Sequence, residues 1–283
     1  MSQEEAVGTG GSWPPHDPTW APPPPPPPDQ PAQWAPPLAP PPPPPPAPVA
    51  EPPRWRSLSG LASALTILFT LDAIAGVFGL IAIGNRIKVI DDFQSGNFAG
   101  DIIKRARDAD DLATAAAVMY LLLALATAVV FIVWMWRAAK NNEALGRMNP
   151  RLGPGWAIGG WFIPIANFVI PVLMMQDLWR GSDPAVPRGD PGWRTGRGSG
   201  VVGWWWAFWL GGIIRVFIRD DNSDSRGKLS DIKRGNQLAF VAFVAHTVAA
   251  VLAIRLVRRL TARQEECLRA QQAAWHAANP GVA

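Results

Sequence analysis

Residues 154–180 read PGWAIGGWFIPIANFVIPVLMMQDLWR, and the placement of Gly and Pro in this apolar stretch decides how the chain folds. The segment is apolar enough to enter a bilayer. Pro164 and Pro171 fall where a spanning helix needs backbone donors, and Pro154, Gly155, Gly159 and Gly160 crowd its start. Proline removes a helical hydrogen bond and collides with the preceding turn, so a straight helix is not expected. Broken backbone survives at membrane depth only where protein or a wet cavity covers it, so other helices must surround this segment. The expected fold is all-α, a polytopic transmembrane helix bundle.

The 283 residues include 31 Pro and 15 Trp, are 48% hydrophobic and have a mean hydropathy of +0.07. That average mixes two regimes. Residues 1–56 are read as a disordered proline-rich tail, 57–260 as a multi-pass membrane domain and 261–283 as a basic helical tail. The net charge of +4 does not imply nucleic acid, because the basic residues flank apolar runs and form no single stripe. A single cysteine, Cys267, excludes an intrachain disulfide. His16, His246 and His276 stand alone, so neither a metal nor a cofactor is expected. No apolar run precedes Leu58, so the first apolar segment is expected to act as an internal anchor.

The tail carries proline tracts at 22–28 and 40–46, which favour the solvated polyproline II helix. Trp20 and Trp34 open imperfect copies, WAPPPPP and WAPPLAP, with Trp13 as a weaker third. One reading is a docking arm for cytoplasmic proteins with aromatic-lined grooves; the other is a low-complexity linker.

Four further apolar runs, 58–83, 112–136, 201–218 and 238–257, are long enough to span a bilayer. If 154–180 re-enters instead of crossing, 15 Lys and Arg lie on the N-terminal face against 10 opposite; if it crosses, the split is 11 against 14. Positive charge favours the cytoplasm, so the expectation is four spans plus a re-entrant segment, with both termini cytoplasmic and the plasma membrane as the location. Gly155 and Gly159 make a weak helix-packing motif, and Trp156, Trp161 and Trp179 are read as interface anchors. Asn167 is read as a partner for backbone groups freed by Pro164. The basic helix after residue 257 suits an anionic leaflet or solvent equally.

Residues 134–184 carry WMWRAAKNNEAL, PGWAIGGWFIPIANFVIP and LWRGSDP. This pattern resembles the domain-of-unknown-function family numbered 4328, multi-pass membrane proteins found chiefly in actinobacteria. The resemblance implies a membrane domain of several helices behind a variable tail. It carries no catalytic or ligand residues across.

Three ionisable residues lie within apolar runs: Asp72, Arg215 and His246. Intramembrane ionisable groups are costly and are candidates for function. By residue count along the helices, Asp72 and His246 match best in depth. They are read either as a proton-relaying pair or as structural groups held by hydrogen bonds. No nucleophile, catalytic carboxylate pair or metal site is assembled, so no enzyme is expected. The leading expectation is a membrane anchor or adaptor presenting the proline-rich arm in the cytoplasm. The alternative is a transporter or channel subunit with Asp72 and His246 in its path, and a homo-oligomer is compatible with either.

Overall fold

The computed structural model describes residues 55–98, 100–217 and 229–280, together with Pro24; the side chains of 214–217 and 229–230 are outside the description. Trp13, Trp20, Trp34 and the side chain of Arg215 therefore lie outside the described residues. Among the described residues of the unit from Ala50 to Ala283, six α-helices follow one another: α1 (Ser59–Gln94), α2 (Ile102–Ala144), α3 (Trp156–Gly159), α4 (Ile170–Gly181), α5 (Gly200–Phe217) and α6 (Leu229–Ala278). No strand occurs among the described residues.

The long helices outrun their apolar cores because polar helix formers continue them. α2 starts where Asp101 caps it, its carboxylate accepting the Lys104 N–H at 3.0 Å. It ends in a Schellman turn: Gly146, at φ 72°, donates to the Glu143 carbonyl, and Arg147 N–H to that of Asn142. α6 runs unbroken through the apolar stretch and on into the basic C-terminal segment.

Among the described residues three helices, α1, α2 and α6, are long and apolar enough to cross a membrane. The best 18-residue window of α2 has the highest mean hydropathy, 2.7, yet only 17% of it is buried. That inverts the order of a water-soluble core. Leu121, Leu122, Leu125 and Val129 on α2, with Ile67 and Ile74 on α1, all point outward. An apolar exterior of this extent suits hydrocarbon.

Polar contacts gather at the two ends of the bundle. At one end Arg86 pairs with Asp110 at 2.7 Å, Lys233 with Asp91 at 2.5 Å, and Arg105 with Asp92. The other end holds the side chains around Asn141 described below. Along α2, Asp110 and Arg137 are separated by a rise of about 40 Å. This is close to a bilayer with its headgroup regions, about 40–45 Å.

α1 lies between α2 and α6 and packs along both, while α5 packs along α6. Glycines let α1 and α6 approach. A Cβ at Gly79 would meet the Phe243 ring at 2.6 Å, and one at Gly76 would collide with the Thr247 hydroxyl. The main core, including Trp134, Met135, Met175, Val202, Leu256 and Leu260, sits where α2, α4, α5 and α6 converge.

Residues 154–180 are broken, as the prolines require. α3 is a single turn, a 3₁₀ turn covers Ala166–Phe168, and α4 has 12 residues, a rise of about 18 Å. Pro171 stands in the first turn of α4, where its missing N–H costs nothing, so the break lies before it, around Pro164. Gly160 packs directly on Ile170, folding α3 back on α4. The hairpin returns to its starting point: Leu152 and Pro154 line a crevice with Ala139, Asn142 and Leu178.

Replacing Gly79 by Val should lower the stability of the detergent-solubilised protein by about 1–3 kcal/mol through overpacking against Phe243. Gly84, with nothing within 4 Å of its Cβ position, should accept Ala without loss. Thermal unfolding of the two variants checks this contrast.

Candidate functional site

At mid-bundle a gap remains among α1, α2, α5 and α6. A cavity of about 230 Å³ fills it. Asp72 of α1, Tyr120 and Thr127 of α2, Trp205 and Trp209 of α5, and His246 of α6 contribute to its wall, and Trp161 joins them from the hairpin. Trp161 is fixed by edge-on contacts to Phe131, at 6.0 Å between ring centroids, and to Trp209, at 5.6 Å. The Trp206 indole donates to the Phe168 carbonyl at 3.1 Å, tying the tip of the hairpin to α5.

Asp72 and His246 meet at this cavity, as their depths suggest, but they do not bond to each other. The Thr127 hydroxyl donates to Asp72 Oδ2 at 2.7 Å. The His246 Nδ1–H donates to the Ala242 carbonyl of its own helix at 3.1 Å. Tyr120 packs its ring edge-on against His246 at 5.8 Å and against Phe243 at 5.5 Å. His246 itself lies flat across Gly212 of α5, where any Cβ would collide with the imidazole. Asp72 is 7% exposed and its Oδ1 has no hydrogen-bond partner; the buried Trp161 Nε1 also has none.

Sequence reasoning passed over Tyr120 and Thr127. Tyr120 is the only tyrosine of the chain and lies within the apolar run of α2, a signal of the same kind as Asp72. Thr127 had no such mark. Of the hairpin residues singled out, Trp161 reaches the cavity and Gly160 makes the tight turn contact, whereas a Cβ at Gly155 or Gly159 would meet nothing within 4 Å. Asn167 Oδ1 is buried without a partner and does not serve freed backbone groups. Trp156 is 41% exposed. Trp179 stacks under the Arg263 guanidinium at 4.4 Å.

A second concentration of polar groups closes the end of the bundle where the hairpin begins and returns. Asn141 and Gln264 are fully buried. The Asn141 amide donates to Gln264 Oε1 at 3.1 Å and to the Arg56 carbonyl at 2.9 Å, and its Oδ1 accepts the Arg56 N–H at 3.1 Å. Gln264 Nε2 donates to the Ala138 carbonyl at 3.0 Å and to Asn142 Oδ1 at 3.1 Å. Arg147, 4% exposed, donates to the carbonyls of Gly181, Asp183, Val186 and Pro187, clasping the loop after α4. Burial pulls its pKa below the usual arginine value, with Asp183 and Asp190 acting in the opposite direction. Arg263 pairs with Asp183 at 3.1 Å and donates to the Ser182 carbonyl. The motif residues WRAAKNN and LWRGSD thus serve one continuous seam.

The profile of the family described as Domain of unknown function (DUF4328) matches residues 102–262, more than half of the chain. No curated protein and no solved structure matches it. The chain belongs to this family. The matched region runs from the start of α2 through the hairpin and α5 into α6, and so contains most of the cavity wall and most of the seam.

Gln264→Leu should cost about 2–4 kcal/mol, because it strands the Asn141 and Asn142 amides in a buried site. Gln271→Leu, about two turns further along α6 and with no hydrogen-bond partner on its Oε1, should cost much less. Chemical or thermal unfolding of both in one detergent is the check.

Proposed function

We propose that this family member is a polytopic membrane anchor holding its proline-rich arm at one face of the plasma membrane, for recognition by cytoplasmic proteins with polyproline-binding grooves. In this reading α1, α2, α5 and α6 cross the bilayer, residues 154–180 form a re-entrant hairpin, and both termini are cytoplasmic. The observation that carries it is the double backbone bond between Arg56 and the Asn141 amide. That contact joins the exit of the arm to the same buried seam that binds the loop after α4 and residue 264 of α6.

Several features support the topology. α3 and α4 are too short to cross hydrocarbon about 30 Å thick. Both ends of the hairpin lie against the C-terminal end of α2, and α5 starts beside them, with Gln176 bonded to both the N–H and the carbonyl of Ser199. Trp136 under Arg56, at 4.9 Å, suits a headgroup boundary.

Single cysteines at Met148, Ala185 and Ser95, placed in a Cys267→Ser background, test the topology with a membrane-impermeant maleimide on intact cells. Met148 and Ala185 should both be protected and Ser95 labelled; opposite behaviour of Met148 and Ala185 overturns the hairpin. For the arm, the full chain and a form beginning at Glu51 are compared by detergent pull-down and mass spectrometry. Partners lost with the arm are expected, and an identical partner set rejects the adaptor reading.

A further inference from the structure

The cavity at mid-bundle has a wall chemistry that selects its occupant. Asp72 Oδ2 is held by Thr127, but Oδ1, on a side chain only 7% exposed, is left without a partner. A buried carboxylate oxygen with no donor is costly in any medium and most of all in a low-dielectric one. Six aromatic residues, Phe69, Tyr120, Phe131, Trp161, Trp205 and Trp209, make up much of the rest of the wall, with alanines of α2 and α6 between them. Aromatic faces attract cations, tryptophan most strongly, and desolvation enhances the attraction. A carboxylate set among indole faces therefore favours a positive guest over a neutral one and repels an anion.

Two further features narrow the guest. Among the described residues no Lys or Arg lines the wall. The Trp161 indole N–H is also buried and unpartnered. His246, its Nδ1–H committed to Ala242, is held in a form whose other ring nitrogen accepts. The volume of about 230 Å³ admits a small organic molecule and exceeds the space needed by a single metal ion.

We infer that the cavity between α2 and α5 is a binding site for a small organic ammonium ion, with Asp72 as its counter-ion and Trp161, Trp205 and Trp209 as its aromatic walls. Asp72 supplies the opposite charge at the cavity wall, and the aromatic side chains cover the carbon skeleton of the guest. Trp161 makes the hairpin part of the site, so occupancy draws the hairpin onto α2 and α5. The inference concerns the bundle interior and stands or falls independently of the proline-rich arm.

The test uses the full-length protein in detergent and three probes of nearly equal size: phenethylammonium, neutral 2-phenylethanol and anionic phenylacetate. Binding is read by calorimetry and by tryptophan fluorescence. The ammonium should bind at least about tenfold more tightly than the alcohol, and the anion least. In Asp72→Asn, which keeps the Thr127 contact and the side-chain shape, the ammonium and the alcohol should become equal. Trp161→Phe, which retains a ring, should weaken ammonium binding while size-exclusion and thermal profiles stay unchanged. Equal affinity for ammonium and alcohol in the unaltered protein, no binding of any probe, or a charge preference that survives Asp72→Asn overturns the inference. The comparison of probes on the unaltered chain keeps the test decisive even if a variant fails to fold.

Discussion

Three buried amides, those of Asn141, Asn142 and Gln264, hold the structure together at the end where its parts converge. Each is satisfied by another amide or by a backbone carbonyl, and together they reach the root of α1, the body of α2, the end of α4 and the extension of α6. A partly satisfied polar network costs more than an apolar core, whereas a complete one specifies a single arrangement. Shifting α6 by one residue turns Gln264 about 100° away from its partners, so the amides define the register of α6 on α2. The Arg147 clasp extends the same control to the loop that follows the hairpin.

The broken segment depends on this seam. Apolar side chains such as Phe162 and Ile165 point away from the protein, 74% and 83% exposed, while Trp161 and Ala157 pack inward. The backbone hydrogen bonds between 153 and 169 are those of short local turns, such as Gly160 to Trp156 and Asn167 to Ile163. The hairpin is held by Trp206 at its tip, by the Gly160 contact on Ile170 at its neck and by the Asn142 and Arg147 contacts at its base. Neighbouring helices therefore cover the irregular segment on its Trp161 and Ala157 side only; residues 162–165 are exposed, so the expectation that helices surround the whole break is corrected.

The cavity follows from the same packing. Glycines on α1 draw α6 close, and Gly212 on α5 makes room for the His246 ring, so α1, α6 and α5 are tightly joined while α2 stands off from α5. The space left between them is roofed by Trp161. A largely aromatic pocket holding Asp72 and His246 is thus the result of close approach elsewhere, and the hairpin that complicates the fold also completes the pocket wall.

The helical class, the apolar runs, the break around Pro164 and the family pattern were all legible in the sequence, because hydropathy, proline and glycine act through local backbone chemistry. Length along a helix also placed Asp72 and His246 at a common depth. What the sequence left open was direction around each helix axis. At 100° per residue, depth says nothing about which neighbour a side chain faces, and only the packed bundle turned Asp72 toward Thr127 and His246 toward its own backbone. The roles of Arg147 and Gln264 were hidden for the same reason: their partners lie tens of residues away in the chain, and a charged or amide side chain near a helix end looks like a solvated one until tertiary contacts bury it.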